Sequence, residues 1–171
     1  MNIRRCCVVA LASALGAAAC TQHDDNDFAT KAAQAGYAEV AAGQLASSQG
    51  QSPQVKSFAQ HMVSDHTKAN QDLGSVAAKI SLQLPNGPSD AQKRDADDLA
   101  QKQGADFDKA YAKMMVDDHE DAVSLFRKEA ESGTNADLKA FAQRTLPTLE
   151  QHLQMAKDLA NGAQAAASTS P

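Results

Sequence analysis

A chain of 171 residues has room for one ordinary domain and not comfortably for two. Its hydrophobic fraction is 43% but rich in Ala, with 4% aromatics and no Trp, so the composition suits closely packed helices and excludes a β-sandwich built on β-branched and aromatic residues. The formal charge of −5 becomes −7 once Arg4 and Arg5 leave with residues 1–19, which argues against nucleic acid as partner and against adhesion to anionic lipid by charge alone.

The first segment reads as an export signal. Met1–Arg5 carries two arginines, and Cys6–Ala19 is small or apolar throughout. That run is shorter than the roughly 20 residues a membrane-spanning helix needs, and a secretory signal over residues 1–19 fits it better. It ends at Ala17-Ala18-Ala19-Cys20, followed by the polar Thr21-Gln22-His23-Asp24. This resembles a bacterial lipobox, although Ala17 stands where Leu is more usual. Cys6 and Cys7 leave with the signal, so Cys20 is the only mature cysteine, and acylation gives a lone thiol in an oxidising compartment a purpose. Residues 20–26 are then a lipid-anchored tether. Thr21 points to the outer membrane and a periplasm-facing protein. The alternative is cleavage after Ala19 to give a soluble periplasmic or secreted chain.

Four long helices and one short one follow. The first runs from about Asp27 to Ser48 and breaks at Gln49-Gly50-Gln51-Ser52-Pro53. Ser52 caps the second, with Pro53 at its first position, and it continues to about Leu82. Leu84-Pro85-Asn86-Gly87-Pro88 breaks the chain, and Ser89 caps a short helix ending near Gly104. The third long helix spans about Ala105–Glu131, and the fourth follows Ser132-Gly133-Thr134-Asn135 to about Ala160. The domain is therefore residues 27–160, and residues 161–171 read as a disordered tail.

Two stretches recur. Asp27-Phe28 matches Asp106-Phe107 at an offset of 79, and Val55-Lys56-Ser57-Phe58-Ala59-Gln60 matches Leu138-Lys139-Ala140-Phe141-Ala142-Gln143 at 83. The difference predicts four extra residues in the second copy. A helical hairpin cannot bury its stripe alone, and pairing two copies gives an all-α four-helix bundle. The connection holding the short helix fits a crossover, as in ferritin-like folds, or plain up-and-down order.

The apolar seams follow a 3–4 spacing, and each carries one strongly polar residue near mid-helix: Glu39, His66, His119 or His152. A buried carboxylate or imidazole is costly without a partner. All four lie within about four residues of their helix midpoints, roughly 6 Å at 1.5 Å per residue, and converge in either topology. Three His and one Glu make a first shell for Zn, Fe or Mn, with Asp65 and Asp118 as further ligands or as carboxylates orienting an imidazole. Cu is less favoured: Met62, Met115 and Met155 recur beside the seam histidines, but Met at helical spacing usually fills core. The competing reading is a metal-free polar network fixing helix register. His61 lies on an exposed stripe and His23 in the tether. Pro147, inside the fourth long helix, marks a bend. No Ser-His-Asp or Cys-His set, phosphate loop or paired ExxH appears, which favours a binding protein over an enzyme.

Phe58-Ala59-Gln60-His61-Met62-Val63-Ser64-Asp65-His66-Thr67-Lys68-Ala69-Asn70, Gly104-Ala105-Asp106-Phe107-Asp108-Lys109-Ala110-Tyr111 and Leu146-Pro147-Thr148-Leu149-Glu150-Gln151-His152 together resemble the exported bacterial "domain of unknown function 4142" family. Its members are commonly labelled predicted outer-membrane proteins. The resemblance covers about residues 27–160 and implies a ferritin-like helical fold. It also implies that Glu39, Asp65, His66, His119 and His152 are characteristic polar positions. It supplies no activity and no protein partner, and the Glu-rich ligand set of true ferritins is missing.

Overall fold

The computed structural model describes the backbone of residues 16–168 and the side chains of residues 25–162. The signal peptide expected over residues 1–19, the anchor expected at Cys20 and the end of the tail lie outside the residues whose side chains are described. Five helices and no strand occur among the described residues: α1 (Gly16–Gln49), α2 (Pro53–Lys79), α3 (Asp90–Ala100), α4 (Gly104–Ser132) and α5 (Ala136–Ser168). The expected elements are all present. Helix α1 starts ahead of Asp27 and α5 runs past Ala160, both through Ala-rich stretches that carry the highest helix propensity. Helix α5 also runs through Pro147 without ending there.

The caps act where the sequence places them. The Val55 amide donates to Ser52 Oγ at 3.1 Å, and Ser89 and Gln92 form a reciprocal capping box. Helix α2 stops earlier than Leu82 because Ser81 turns left-handed, at φ 55, and the Leu82 amide folds back to the Ala77 carbonyl at 2.9 Å.

Packing joins α1 to α2, α4 to α5, α1 to α4 and α2 to α5. The successive long helices α2 and α4 are therefore diagonal. Direction follows from two apolar clusters. One holds Phe28, Ala32, Leu73, Val76, Phe126, Phe141 and Leu149; the other holds Ala42, Ala46, Val55, Met62, Phe107, Tyr111, Met115 and Ala156. Helices α2 and α4 both run from the second cluster to the first, while α1 and α5 run the other way. The chain leaving α2 at one end must re-enter α4 at the opposite end. The α3 segment makes that traverse, packing on α1 and α4, with Leu82 and Leu84 against the first cluster and Leu99 in the second. Simple up-and-down order is thereby excluded.

The repeat is more regular than the sequence suggested. Asp25 in α1 accepts from the Thr134 amide, the Thr134 hydroxyl and the Asn135 amide at 3.1, 2.6 and 2.7 Å. Asp108 in α4 accepts from the Gln51 and Ser52 amides at 2.8 and 2.7 Å. Each hairpin thus ties the loop of the other. Asp25 and Asp108 are 83 positions apart, as are Gly50 and Gly133, the N-caps Ser52 and Asn135, and Phe58 and Phe141. One offset covers the hairpin, and the four extra residues expected in the second copy are not there. The pairing of Asp27-Phe28 with Asp106-Phe107 was one helical turn out of register.

Candidate metal centre

Between the two apolar clusters, every long helix contributes one buried polar residue: Glu39 from α1, His66 from α2, His119 from α4 and His152 from α5. The three imidazoles form a near-equilateral group, with ring centroids 5.4–5.5 Å apart. One ring nitrogen from each lies within 4.8 Å of those of the others. Their exposures are 7%, 1% and 4%, so bulk water does not separate them.

Hydrogen bonding fixes the tautomers of two rings. His119 Nδ1 stands 2.8 Å from the Met115 carbonyl, which can only accept, so Nδ1 carries the proton. His152 Nε2 is 3.0 Å from Asp65 Oδ2, so Nε2 is the donor there. The remaining nitrogens, His119 Nε2 and His152 Nδ1, are the lone-pair nitrogens, and both are buried without a partner. His66 Nε2 is likewise buried and unpartnered. Burial pushes His66 down to about 3, with His119 and His152 adding to the effect, and His119 down to about 4. His152 is also lowered by burial, against the pull of Asp65. The three rings are neutral near pH 7, the form that binds a metal.

The carboxylates divide into different roles. Glu39 is 5% exposed; its Oε1 lies 3.7 Å from His119 Nδ1, beyond hydrogen-bond reach, and its Oε2 has no partner. Burial, reinforced by Asp118, raises the Glu39 carboxyl well above its ordinary value. Asp65 is half-exposed and orients His152. Asp118 is exposed and lines the small cavity beside the histidines, held up at about 6 by partial burial and by Asp95, Asp117 and Asp121. His61 is exposed, as its stripe implied. The thioethers of Met62 and Met115 pack within the second apolar cluster.

The seam spacing did not single out Tyr111, whose fully buried hydroxyl has no partner and is raised by burial and by nearby Glu39. Its place two turns before His119 on the same face was the available signal. Asp25, Asp108 and Glu129 were also missed. A cavity of about 50 Å3 adjoins the centre, lined by Glu39, His66 and His152 on one side and by Phe126, Phe141 and Leu73 on the other.

Fold and site define an all-α protein with a layer of three buried histidines across its core. The chain belongs to the family described as domain of unknown function DUF4142, whose profile matches residues 10–159. Two solved structures share the fold. One is a DUF305 fragment from Deinococcus radiodurans, with a TM-score of 0.71 at 10% identity, covering 81% of this chain and 95% of that one. The other is a conserved hypothetical protein, rv2844, from Mycobacterium tuberculosis, with a TM-score of 0.59 at 16% identity, covering 88% of this chain and 95% of that one. No curated protein matches the chain.

Proposed function

We propose that the protein is an envelope lipoprotein that holds one transition-metal ion inside a ferritin-like four-helix bundle, ligated by His66, His119 and His152. The single observation that carries this reading is the set of three buried imidazoles with ring nitrogens within 4.8 Å of one another, each ring having a buried nitrogen without a partner. A hydrogen-bonded network kept only for register would pair those atoms with one another, because an unpaired buried polar group costs about 1–3 kcal/mol. A metal ion satisfies all three together.

Three neutral imidazoles with a carboxylate in reserve suit Zn, and Fe or Mn if Glu39 and solvent complete a larger shell. Packing of the Met62 and Met115 side chains into apolar core speaks against Cu(I). The Asp65–His152 contact is the usual support for a metal-bound histidine. The diagonal α2–α4 crossover supports the ferritin-like topology. For the lipid anchor at Cys20 and a periplasm-facing position at the outer membrane, the support is the sequence of residues 1–24. No helix among the described residues is long and apolar enough to cross a membrane.

Elemental analysis of protein taken from its own envelope, purified without a nickel column, tests the reading. One metal ion per chain is expected. Substoichiometric metal in every preparation would favour the structural network.

A further inference from the structure

Glu39 borders two spaces. On one side is the small cavity beside the histidines. On the other a groove of about 620 Å3 runs between α1 and α4, reaching the start of α3 at Ser89 and Gln92. Ala35, Glu39, Asp118 and Ala122 line both spaces and so form the wall between them.

The groove is strongly acidic. Asp25, Asp27, Glu39, Asp118, Asp121 and Glu129 line it against two cations, Lys31 and Lys128. Asp25 is engaged by Thr134 and Asn135, and Asp27 pairs with Lys31. Four carboxylates remain. Asp118 and Asp121 are exposed, while Glu39 and Glu129 are each 5% exposed and each keep one buried oxygen without a partner, Oε2 and Oε1 respectively. Unpaired carboxylate oxygens spaced along an acidic groove can replace the waters of a divalent cation in steps, and the groove's charge concentrates such cations. The wall contains two alanines, so it offers little bulk against passage.

We propose that the α1–α4 groove is the loading path by which a divalent cation reaches the three imidazoles, with Glu39 handing the ion across the wall. This rests on the metal reading above and adds the route and the class of ion, a hydrated divalent cation.

Stopped-flow loading of the full mature protein with Co2+, followed by its visible absorption, and release to a chelator test the path. Ala122→Leu narrows the wall without touching the ligands. Loading and release should slow by the same factor, at least about tenfold, with the equilibrium affinity unchanged, because a path alters the barrier and not its end states. The exposed Asp121→Asn keeps the test open should Ala122→Leu fold poorly. It should slow loading and flatten its dependence on ionic strength. Wild-type rates in both variants would overturn the path while leaving the metal centre standing, and would place entry elsewhere, as on the Asp65 side. A change in release alone would also overturn it. Failure of the wild type to take up Co2+ would instead remove the metal reading, and the path with it.

Discussion

An imidazole taken from water into an apolar core loses its hydration, and the fold must return a partner to each nitrogen or bear the deficit. His119 and His152 each receive one partner, the Met115 carbonyl and the Asp65 carboxylate, and each retains one free lone pair. That half-satisfied state is the observation on which the proposed ligand set rests. Glu129 shows the same deficit in a carboxylate, and it can be read by pH. Burial first, and then Asp25, raises its carboxyl from the ordinary 4.5 to about 7. The unfolded chain thus releases this proton near pH 4.5 while the folded chain keeps it to about 7. The residue therefore costs stability increasingly across that window and fully above it. Glu129→Gln should match the wild type near pH 4 and gain on it up to about pH 8, measured as the difference in urea midpoint. A gain that does not grow with pH would contradict the burial of this group.

At the scale of elements, the two hairpins are fastened by reciprocal carboxylates. Asp25 holds the loop before α5, and Asp108 holds the loop before α2. Either substitution with Ala leaves two backbone amides unpaired in a part-buried loop and should cost about 1–3 kcal/mol. The two ties share no partner, so the double variant should lose the sum of the single losses to within about 0.5 kcal/mol. Chemical denaturation of the four proteins checks this, and a single variant as stable as the wild type would show that its tie is idle. Close approach of α1 to α2 depends on small residues. A Cβ at Gly43 would stand 2.8 Å from Val63 Cγ2 and 3.0 Å from the Ala59 carbonyl.

For the whole molecule, most of the fold was legible because every helix has an amphipathic stripe, a cap or a breaker that acts locally. The layer of Glu39, His66, His119 and His152 was legible for the same reason, as one polar residue interrupts each stripe at similar depth. Features set by long-range geometry were not. The Asp25 and Asp108 ties join residues 109 and 57 positions apart, and nothing beside them in sequence marks their partners. The crossover was left open because a linker's length does not give its direction. Adjacency to His119 in sequence puts Asp118 about 100° around the helix, and it lines the cavity beside the histidines from an exposed position. Metal-dependent stability tests the central claim most directly. Melting of the wild type with Zn2+ and with chelator should differ by RT ln(1 + [L]/Kd), about 2.7 kcal/mol at a hundredfold excess over Kd. His66→Gln, His119→Gln and His152→Gln should each lose most of that difference while melting near the wild type in chelator, and the exposed His61→Gln should keep it. The account is contradicted if metal leaves the wild type unchanged and each of the three substitutions lowers stability by about 1–3 kcal/mol in chelator, as a hydrogen-bonded network requires.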